Sequence, residues 1–370
     1  DDAMLTATVE HFRAANPELK VSVLCMSGPP EEIVRAKGFT PVVIPPFERF
    51  PVAMAALLQG EDYDALIAVG ADVMDGYYSV EYSTQLLIAA DLAARSGMRA
   101  LFLGFSFNET AAPELAACFS RLDPRVTLNL RDRISLARVK RFAPVRARLV
   151  ADSAFTLRPG EVDAETSHWI EAEKAAGRQV IGINLHPMLI RHADAQQIGH
   201  MVKQMASAIE GRSAQGAFSW LLVPHDYRDD TGDGDGLCLR PLFDELESLP
   251  GVRARYFDGV HRAATLKALA GKLDGVVTGR MHLAIASLGM GVPVLCLTYQ
   301  DKFEGLYSHF DLPSEYLLPP QIFDAEGGLE RALQKFLSAL PELRETVARQ
   351  GPRVAELAQT NFAQAEGVPA

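Results

Sequence analysis

Short apolar runs alternate with amphipathic stretches along most of the chain. Runs rich in Val, Ile and Leu, such as Val180–Leu185, Phe218–Val223 and Leu273–Thr278, are typical of buried parallel strands. Between such runs, apolar residues spaced three and four apart predict helices, as at Ile198–Ile209. This alternation of strand and helix predicts an α/β protein with parallel sheets.

The alternation occurs twice, in two sets that a polar, Glu-rich segment separates. We predict two Rossmann-like domains that face a central cleft. The bounds are an N-terminal domain over residues 1–158, a linker helix over 159–178, a C-terminal domain over 179–340 and a C-terminal helix over 341–370.

The turn after the strand Leu273–Thr278 combines two chemically active side chains. Gly279 breaks the strand, and a short Ala-rich helix follows, so Arg280 and His282 fall at a strand-to-helix turn. Open α/β sheets bind ligands at this end of a strand, and the free N–H groups of a helix start favour an anion. A guanidinium beside an imidazole predicts a site for a carboxylate or phosphate with a proton donor. The alternative is a surface Arg and a hydrogen-bonded turn His.

Further polar side chains follow other predicted strands. His186 and His225 come directly after two strands of the second domain, as ligand-binding groups or as hydrogen-bonded loop histidines. Asp72 and Asp75 follow a strand of the first domain in a turn that also contains two glycines. These carboxylates suit sugar hydroxyls or a general base, and each equally suits a helix cap.

The Arg131-Asp132-x-x-Ser135 segment follows a short strand of the first domain. Asp is a preferred residue at the position before a helix, because its carboxylate accepts hydrogen bonds from the first backbone N–H groups. We predict that Asp132 caps the next helix and that Arg131 holds the fold.

Composition excludes some classes of function. The 370 residues are 48% hydrophobic and 22% charged, as in a globular protein with a substantial core. Lys and Arg number 36 against 47 Asp and Glu, for a net charge of −11. This balance argues against general binding to nucleic acids, which needs a basic surface. A local Arg cluster still permits an anionic substrate.

Cysteine usage and acidic loops bear on location and metals. The four cysteines are far apart and show no metal-binding spacing, so we expect reduced thiols in the cytoplasm. The acidic segment 229–236 looks like a calcium loop but lacks the closing Glu, and we interpret it as a mobile acidic loop rather than a metal site. No apolar run approaches the ~20 residues that span a bilayer.

One segment resembles a known enzyme family. The polysaccharide pyruvyl transferases have a C-terminal signature similar to Gly279-Arg280-Met281-His282, the GVPV of 291–294, Tyr299, Asp301-Lys302 and Gly305. These enzymes move a pyruvyl group from phosphoenolpyruvate to a sugar of a cell-surface glycan or exopolysaccharide, usually as a cyclic ketal. The resemblance implies a glycosyltransferase-B-like fold and phosphoenolpyruvate as co-substrate, with no other cofactor.

The resemblance also suggests roles for individual residues. Arg280 would bind the donor anion, and His282 would transfer a proton. The donor side would include Gly279, Met281, Lys302, His186 and His225, and the acceptor side Asp72, Asp75 and Asp2. The family places a strand and a glycine turn before a segment similar to 1–5, and we expect that first strand to be missing here.

Other readings of the same segment remain open. The acceptor implied is a sugar or a lipid-linked saccharide, through which the protein would associate peripherally with a membrane; no nucleic acid is implied. A nucleotide-sugar glycosyltransferase or a sugar-nucleotide epimerase of the same fold would instead hold a pyrophosphate at Gly279–His282. A third reading is an inactive sugar-phosphate binding protein or a partner subunit of a polymer-assembly complex.

Overall fold

The computed structural model describes residues 2–214, 216–299 and 301–363. They form two compact units, one of Ala3–Leu157 with 356–363 and one of Arg158–Ala355 with Asp2. The polar helix that we predicted as a linker belongs to the second unit, and the end of the last helix belongs to the first. Among the described residues, no helix is both long and apolar enough to cross a bilayer.

The first unit contains two separate parallel sheets, one with the order β1-β2 and one with the order β3-β4-β5-β6. Its core lies around the larger sheet, and three mutually packed Phe rings, Phe107, Phe119 and Phe142, belong to it or pack against it. Its elements are α1 (Asp2–Ala15), β1 (Ser22–Cys25), α2 (Pro29–Ala36), β2 (Thr40–Val43), α3 (Phe50–Gly60), β3 (Ala65–Ala68), α4 (Val80–Arg95), β4 (Arg99–Phe105), α5 (Leu115–Ser120), β5 (Thr127–Leu130), α6 (Arg133–Phe142) and β6 (Ala147–Leu149).

The segment after β5 holds the first unit together as predicted. The Asp132 carboxylate accepts a hydrogen bond from the backbone N–H of Ser135 at 2.7 Å and caps α6. Arg131 is buried and pairs with the buried Asp152 at 2.9 Å. Both predictions for this segment are confirmed.

The buried amide of Asn361 is fixed to the same unit. The Oδ1 atom of Asn361 accepts a hydrogen bond from Gly104 N at 2.7 Å, and its Nδ2 atom donates to Ala151 O at 2.8 Å. Because both polar ends of the side chain are paired, its burial is compatible with a stable core.

The second unit contains one six-stranded parallel sheet in the order β12-β11-β10-β7-β8-β9. Its elements are α7 (Ala164–Ala175), β7 (Gln179–Asn184), α8 (Ala195–Ser213), β8 (Phe218–Leu222), α9 (Gly236–Ser248), β9 (Ala254–Tyr256), α10 (Ala263–Ala270), β10 (Gly275–Thr278), α11 (Met281–Gly289), β11 (Val294–Leu297), α12 (Phe303–Phe310), β12 (Leu317–Leu318), α13 (Gly328–Ser338) and α14 (Leu340–Gln359). The prediction of two Rossmann-like α/β domains is confirmed.

Candidate functional site

The strand order of the second unit reverses between β7 and β10. From β7 the chain builds β8 and β9 on one side, and then returns to build β10, β11 and β12 on the other. Open α/β sheets bind ligands outside the carboxyl ends of the strands at such a reversal. The predicted donor-side residues follow four neighbouring strands at this edge: His186 after β7, His225 after β8, Gly279–His282 after β10 and Lys302 after β11.

Two buried side chains join the ends of the central strands. Asn184 and Thr278, the last residues of β7 and β10, are register partners, and the Thr278 hydroxyl donates to Asn184 Oδ1 at 3.0 Å. The same hydroxyl oxygen accepts a hydrogen bond from Arg280 N at 2.9 Å. The turn that presents Arg280 is therefore fixed to the neighbouring strand.

Asp235 is the centre of a buried polar network at this edge. Its carboxylate is 0% exposed and accepts hydrogen bonds from Asn184 Nδ2 at 2.7 Å and from the backbone N–H groups of His225 and Asp226 at 2.8 and 3.1 Å. Arg280 Nε donates to it at 2.8 Å. Burial raises the pKa of the Asp235 carboxyl, although the charge of Arg280 lowers it. We call these five residues the Asp235 network.

Arg280 is largely buried within this network. Its side chain is 11% exposed, and its Nη2 atom lies 2.6 Å from Asp235 Oδ1 and donates to the backbone oxygen of Asp233 at 2.7 Å. Its Nη1 atom has longer contacts, 3.4 Å to Asp226 Oδ2 and 3.5 Å to Met188 Sδ. One edge of the guanidinium is thus held tightly, and the other is held loosely.

His186 lies at the centre of the same edge and is fully buried. Neither ring nitrogen has a hydrogen-bond partner among the described residues. The ring packs edge-to-face on Tyr299, with 5.5 Å between ring centroids. Burial first, and then the charge of Arg280, lower the pKa of His186 well below its ordinary value, so the imidazole is neutral at pH 7.

Gly279 is a position where a side chain does not fit. A Cβ atom there would lie 2.5 Å from His186 Nε2 and 2.7 Å from Leu189 Cδ2. The glycine therefore allows the imidazole and the strand-to-helix turn to pack directly against each other.

Replacing Gly279 with Ala is expected to destabilise the protein by about 1–3 kcal/mol, the usual cost of adding a methyl group to a packed core. Urea denaturation measures the change. Gly199→Ala in α8 is the matched control, because nothing lies within 4 Å of its Cβ position, and it should be neutral or stabilising. Equal stability of the two variants would contradict the close packing at His186.

His225 and Asp226 follow β8. The His225 imidazole is half-buried, and burial together with the nearby Arg280 lowers its pKa to about 3, so it is neutral at pH 7. Burial raises the pKa of Asp226, but the stronger opposing effect of Arg228 and Arg280 leaves it below its ordinary value. Asp226 is therefore a carboxylate at neutral pH.

The remaining donor-side residues lie at helix starts. Met281 and His282 are the first two residues of α11, both half-buried, at the end where free N–H groups attract an anion. Lys302 immediately precedes α12 and is buried. The edge thus combines Arg280, two helix starts and the imidazole of His282, an arrangement that can bind an anion beside a group able to carry a proton.

The acceptor-side residues of the first unit lie in the loop after β3. Asp75 is buried, and its carboxylate accepts hydrogen bonds from Tyr77 N at 3.0 Å and Asn108 N at 3.2 Å. The cap of the next helix, α4, is Ser79 rather than an aspartate. Asp75 therefore shapes the loop from within.

The same loop presents two aromatic side chains that sequence reasoning missed. Tyr77 and Tyr78 are each 45% exposed, and their rings are perpendicular with centroids 5.0 Å apart. The Tyr78 hydroxyl donates to Asp72 Oδ2 at 3.2 Å, which places Asp72 beside the rings. The two consecutive tyrosines shortly after Asp75 were the signal in the sequence for this aromatic surface.

Asp2 is the first residue of α1 and belongs to the second unit. Its carboxylate accepts a hydrogen bond from Ala263 N at 3.2 Å, at the start of α10. The contact is that of a negative charge at a helix N-terminus. The neighbouring Asp1 lies outside the described residues.

The acidic segment 229–236 differs from its prediction. Asp229 and Asp230 are exposed, but Asp235 is fully buried, so the interpretation as a mobile acidic loop is wrong for this residue. No group of three or more His, Cys, Asp and Glu side chains in the described part of the chain is placed to hold a metal ion. Asp226 could have been found from its position after β8, whereas Asp235 has no comparable signal.

Comparison with known sequences identifies the family. The sequence model of the family described as polysaccharide pyruvyl transferase matches residues 1–301, more than half of the chain. The chain belongs to the polysaccharide pyruvyl transferase family. The resemblance based on Gly279–His282 is thereby confirmed, and family membership indicates a transferase of polysaccharide biosynthesis. No curated protein sequence matches this pyruvyl transferase family member.

Solved structures similar to this pyruvyl transferase family member have the glycosyltransferase-B-like fold. UDP-GlcNAc 2-epimerase from Neisseria meningitidis bound to UDP-GlcNAc has a TM-score of 0.63 and 10% identity over 98% of this chain and 96% of that one. For MnaA of S. aureus with UDP, the TM-score is 0.61 and the sequence identity is 10%, over 98% of this chain and 91% of that one. For Anabaena HepE in complex with UDP-glucose, the TM-score is 0.56 and the identity is 12%, over 99% of this chain and 94% of that one. At such identities the likeness shows the fold alone.

Proposed function

We propose that this protein transfers the pyruvyl group of phosphoenolpyruvate to two hydroxyls of a sugar in a cell-surface glycan or its precursor, forming a ketal. Membership in the pyruvyl transferase family is the observation on which the proposal depends. The arrangement of Arg280 and His282 at the strand reversal supports it, because an enol phosphate needs an anion site and a proton donor.

Each chemical step has a residue to perform it. Arg280 binds the carboxylate or phosphate of the donor together with Lys302 and the N-terminus of α11. His282 donates a proton to C3, which converts the methylene into a methyl group and makes C2 electrophilic. One acceptor hydroxyl adds to C2, and the second displaces phosphate. One hydroxyl proton restores His282, and the other leaves with the phosphate.

The first unit binds the acceptor in this proposal. A sugar ring has an apolar C–H face that suits the exposed rings of Tyr77 and Tyr78, and hydroxyls that suit the carboxylate of Asp72. We place the reaction in the cytoplasm. The four cysteines form no disulfide among the described residues, and they would stay reduced there.

Phosphate release tests the function. Wild type is incubated with phosphoenolpyruvate, alone and with a panel of nucleotide-linked and lipid-linked sugars, and inorganic phosphate is measured. Release that depends on one acceptor supports the proposal and names the sugar class. If no sugar of the panel gives phosphate release, and only UDP or GDP raises the melting temperature, the result would favour glycosyl transfer or epimerisation instead.

Replacing Tyr77 with Ala is expected to raise the KM for the acceptor sugar about 2- to 12-fold, the equivalent of one aromatic contact of about 0.5–1.5 kcal/mol. The KM for phosphoenolpyruvate should not change. Tyr77→Phe is the matched control, because it keeps the ring and should retain a normal KM. An unchanged acceptor KM in Tyr77→Ala would remove the aromatic pair from the acceptor site.

A further inference from the structure

The hydrogen-bonding groups of Arg280 are divided unequally. A guanidinium has five N–H donors, one on Nε and two on each terminal nitrogen. Nε and Nη2 contact the Asp235 carboxylate and the Asp233 backbone oxygen at 2.6–2.8 Å. Nη1 lies 3.4 Å from Asp226 Oδ2, longer than a usual hydrogen bond to oxygen, and donates to the Met188 sulfur, a weak acceptor, at 3.5 Å. Nη1 is therefore the nitrogen that a ligand oxygen can take over.

The two carboxylates on Arg280 are held differently. Asp235 is 0% exposed, and its other oxygen is fixed by Asn184 and by two backbone N–H groups. Asp226 is 14% exposed and makes its shorter ion pair with Arg228, at 2.6 Å. If Asp226 loses Nη1, it keeps Arg228 as a partner. If Asp235 loses Arg280, its charge stays buried.

We propose that Asp235 is a positioning residue that fixes the Arg280 guanidinium, and that Asp226 is an exchangeable counter-ion that the donor anion replaces on Nη1. The identity of the donor as phosphoenolpyruvate rests on the proposed function. The anion then meets a pre-oriented pair of N–H donors, which lowers the entropic cost of binding. Asp226 both competes for these donors and repels the anion by its like charge.

The two carboxylates should therefore respond in opposite ways to neutralisation. Asp226→Asn is expected to lower the KM for phosphoenolpyruvate about two- to fivefold, the range for removal of a partly exposed ion pair. Asp235→Asn is expected to raise it at least about tenfold, because an amide nitrogen would face the donors that now bind the second carboxylate oxygen. Asp244→Asn, an exposed charge on α9, is the control and should change neither.

The experiment measures KM and kcat of the full-length protein and, separately, the Kd for phosphoenolpyruvate and for inorganic phosphate by calorimetry. Because Asp235→Asn can fail to fold, Asp235→Glu is made as well and should recover part of the affinity. The double variant Arg280→Lys/Asp226→Asn has no Nη1, so in the Arg280→Lys background the gain from Asp226→Asn should shrink to the part that comes from removing like-charge repulsion.

The outcomes separate this inference from the proposed function. If the protein turns over phosphoenolpyruvate but Asp226→Asn weakens its binding, or keeps its full gain without Nη1, the inference is overturned and the function stands. If no acceptor gives turnover but anion binding shifts in the two expected directions, the function fails and the inference stands. If wild type binds neither phosphoenolpyruvate nor phosphate, the inference is overturned.

Discussion

Replacing His282 with Ala is expected to reduce acceptor-dependent phosphate release from phosphoenolpyruvate by about 10²–10⁴-fold, the usual contribution of a positioned general acid. The physical reason is that protonation of C3 must precede or accompany attack on C2. His282 is the second residue of α11, two positions after Arg280, within the same turn of chain. The loss should appear mainly in kcat, with the KM for phosphoenolpyruvate changed little.

A matched histidine controls for the loss of an imidazole in general. His168 is exposed on α7 in the same unit, and His168→Ala should keep normal activity and melting temperature. In deuterium oxide, the wild-type product should gain one deuterium in its new methyl group, because one solvent-exchanged proton reaches C3. A His282→Ala variant with near-normal phosphate release would exclude His282 as the acid.

The elements around the candidate site could be predicted well from local sequence. The strand predicted at Leu273–Thr278 is observed as β10 (Gly275–Thr278), and the strand predicted at Val180–Leu185 is observed as β7 (Gln179–Asn184). Both are short, mostly apolar runs, so the signal is contained in neighbouring residues. The segment that contains Arg280 and His282 is predictable because its strand, turn and helix are consecutive in the chain.

Helix starts were less well predicted, although a signal was present. The helix predicted at Ile198–Ile209 begins earlier, at Ala195, because Asp194 and Gln197 form a capping box with hydrogen bonds of 2.8 and 3.0 Å. The apolar pattern begins only after the first turn, so periodicity alone placed the start too late. The Asp-x-x-Gln spacing would have corrected it.

The Asp235 network could not be predicted from the sequence. Segment 229–236 contains four aspartates, and nothing in their local pattern distinguishes the buried one from the exposed ones. Asp235 is buried because β8 and β10 are near neighbours on the two sides of β7, which brings the start of α9 to Arg280. Strand order is a property of the whole sheet, and a contact between residues 45 positions apart depends on it.

Replacing Arg280 with Ala is expected to lower the free energy of unfolding by roughly 3–5 kcal/mol, the cost of leaving a buried charge without its partner. Asp235 is fully buried, and Arg280 provides its opposite charge at 2.6 Å. The pyruvyl transfer activity should be lost as well, but urea denaturation detects the structural effect independently of any substrate. Arg141→Ala, an exposed arginine of α6 paired with Glu109, is the control and should cost less than about 1 kcal/mol.

The pH dependence of that loss identifies Asp235 as its source. Burial already raises the pKa of Asp235, and the charge of Arg280 is the largest influence that lowers it, so without Arg280 the pKa rises further and the folded variant binds a proton more tightly than the unfolded chain does. Stability of Arg280→Ala should therefore recover relative to wild type as the pH falls through this raised pKa. The double variant Arg280→Ala/Asp235→Asn has no charge to bury and should be more stable than Arg280→Ala at pH 7. If the loss of unfolding free energy were independent of pH and unchanged in the double variant, its cause would be lost packing of the arginine side chain. The charge of Asp235 would then not depend on Arg280.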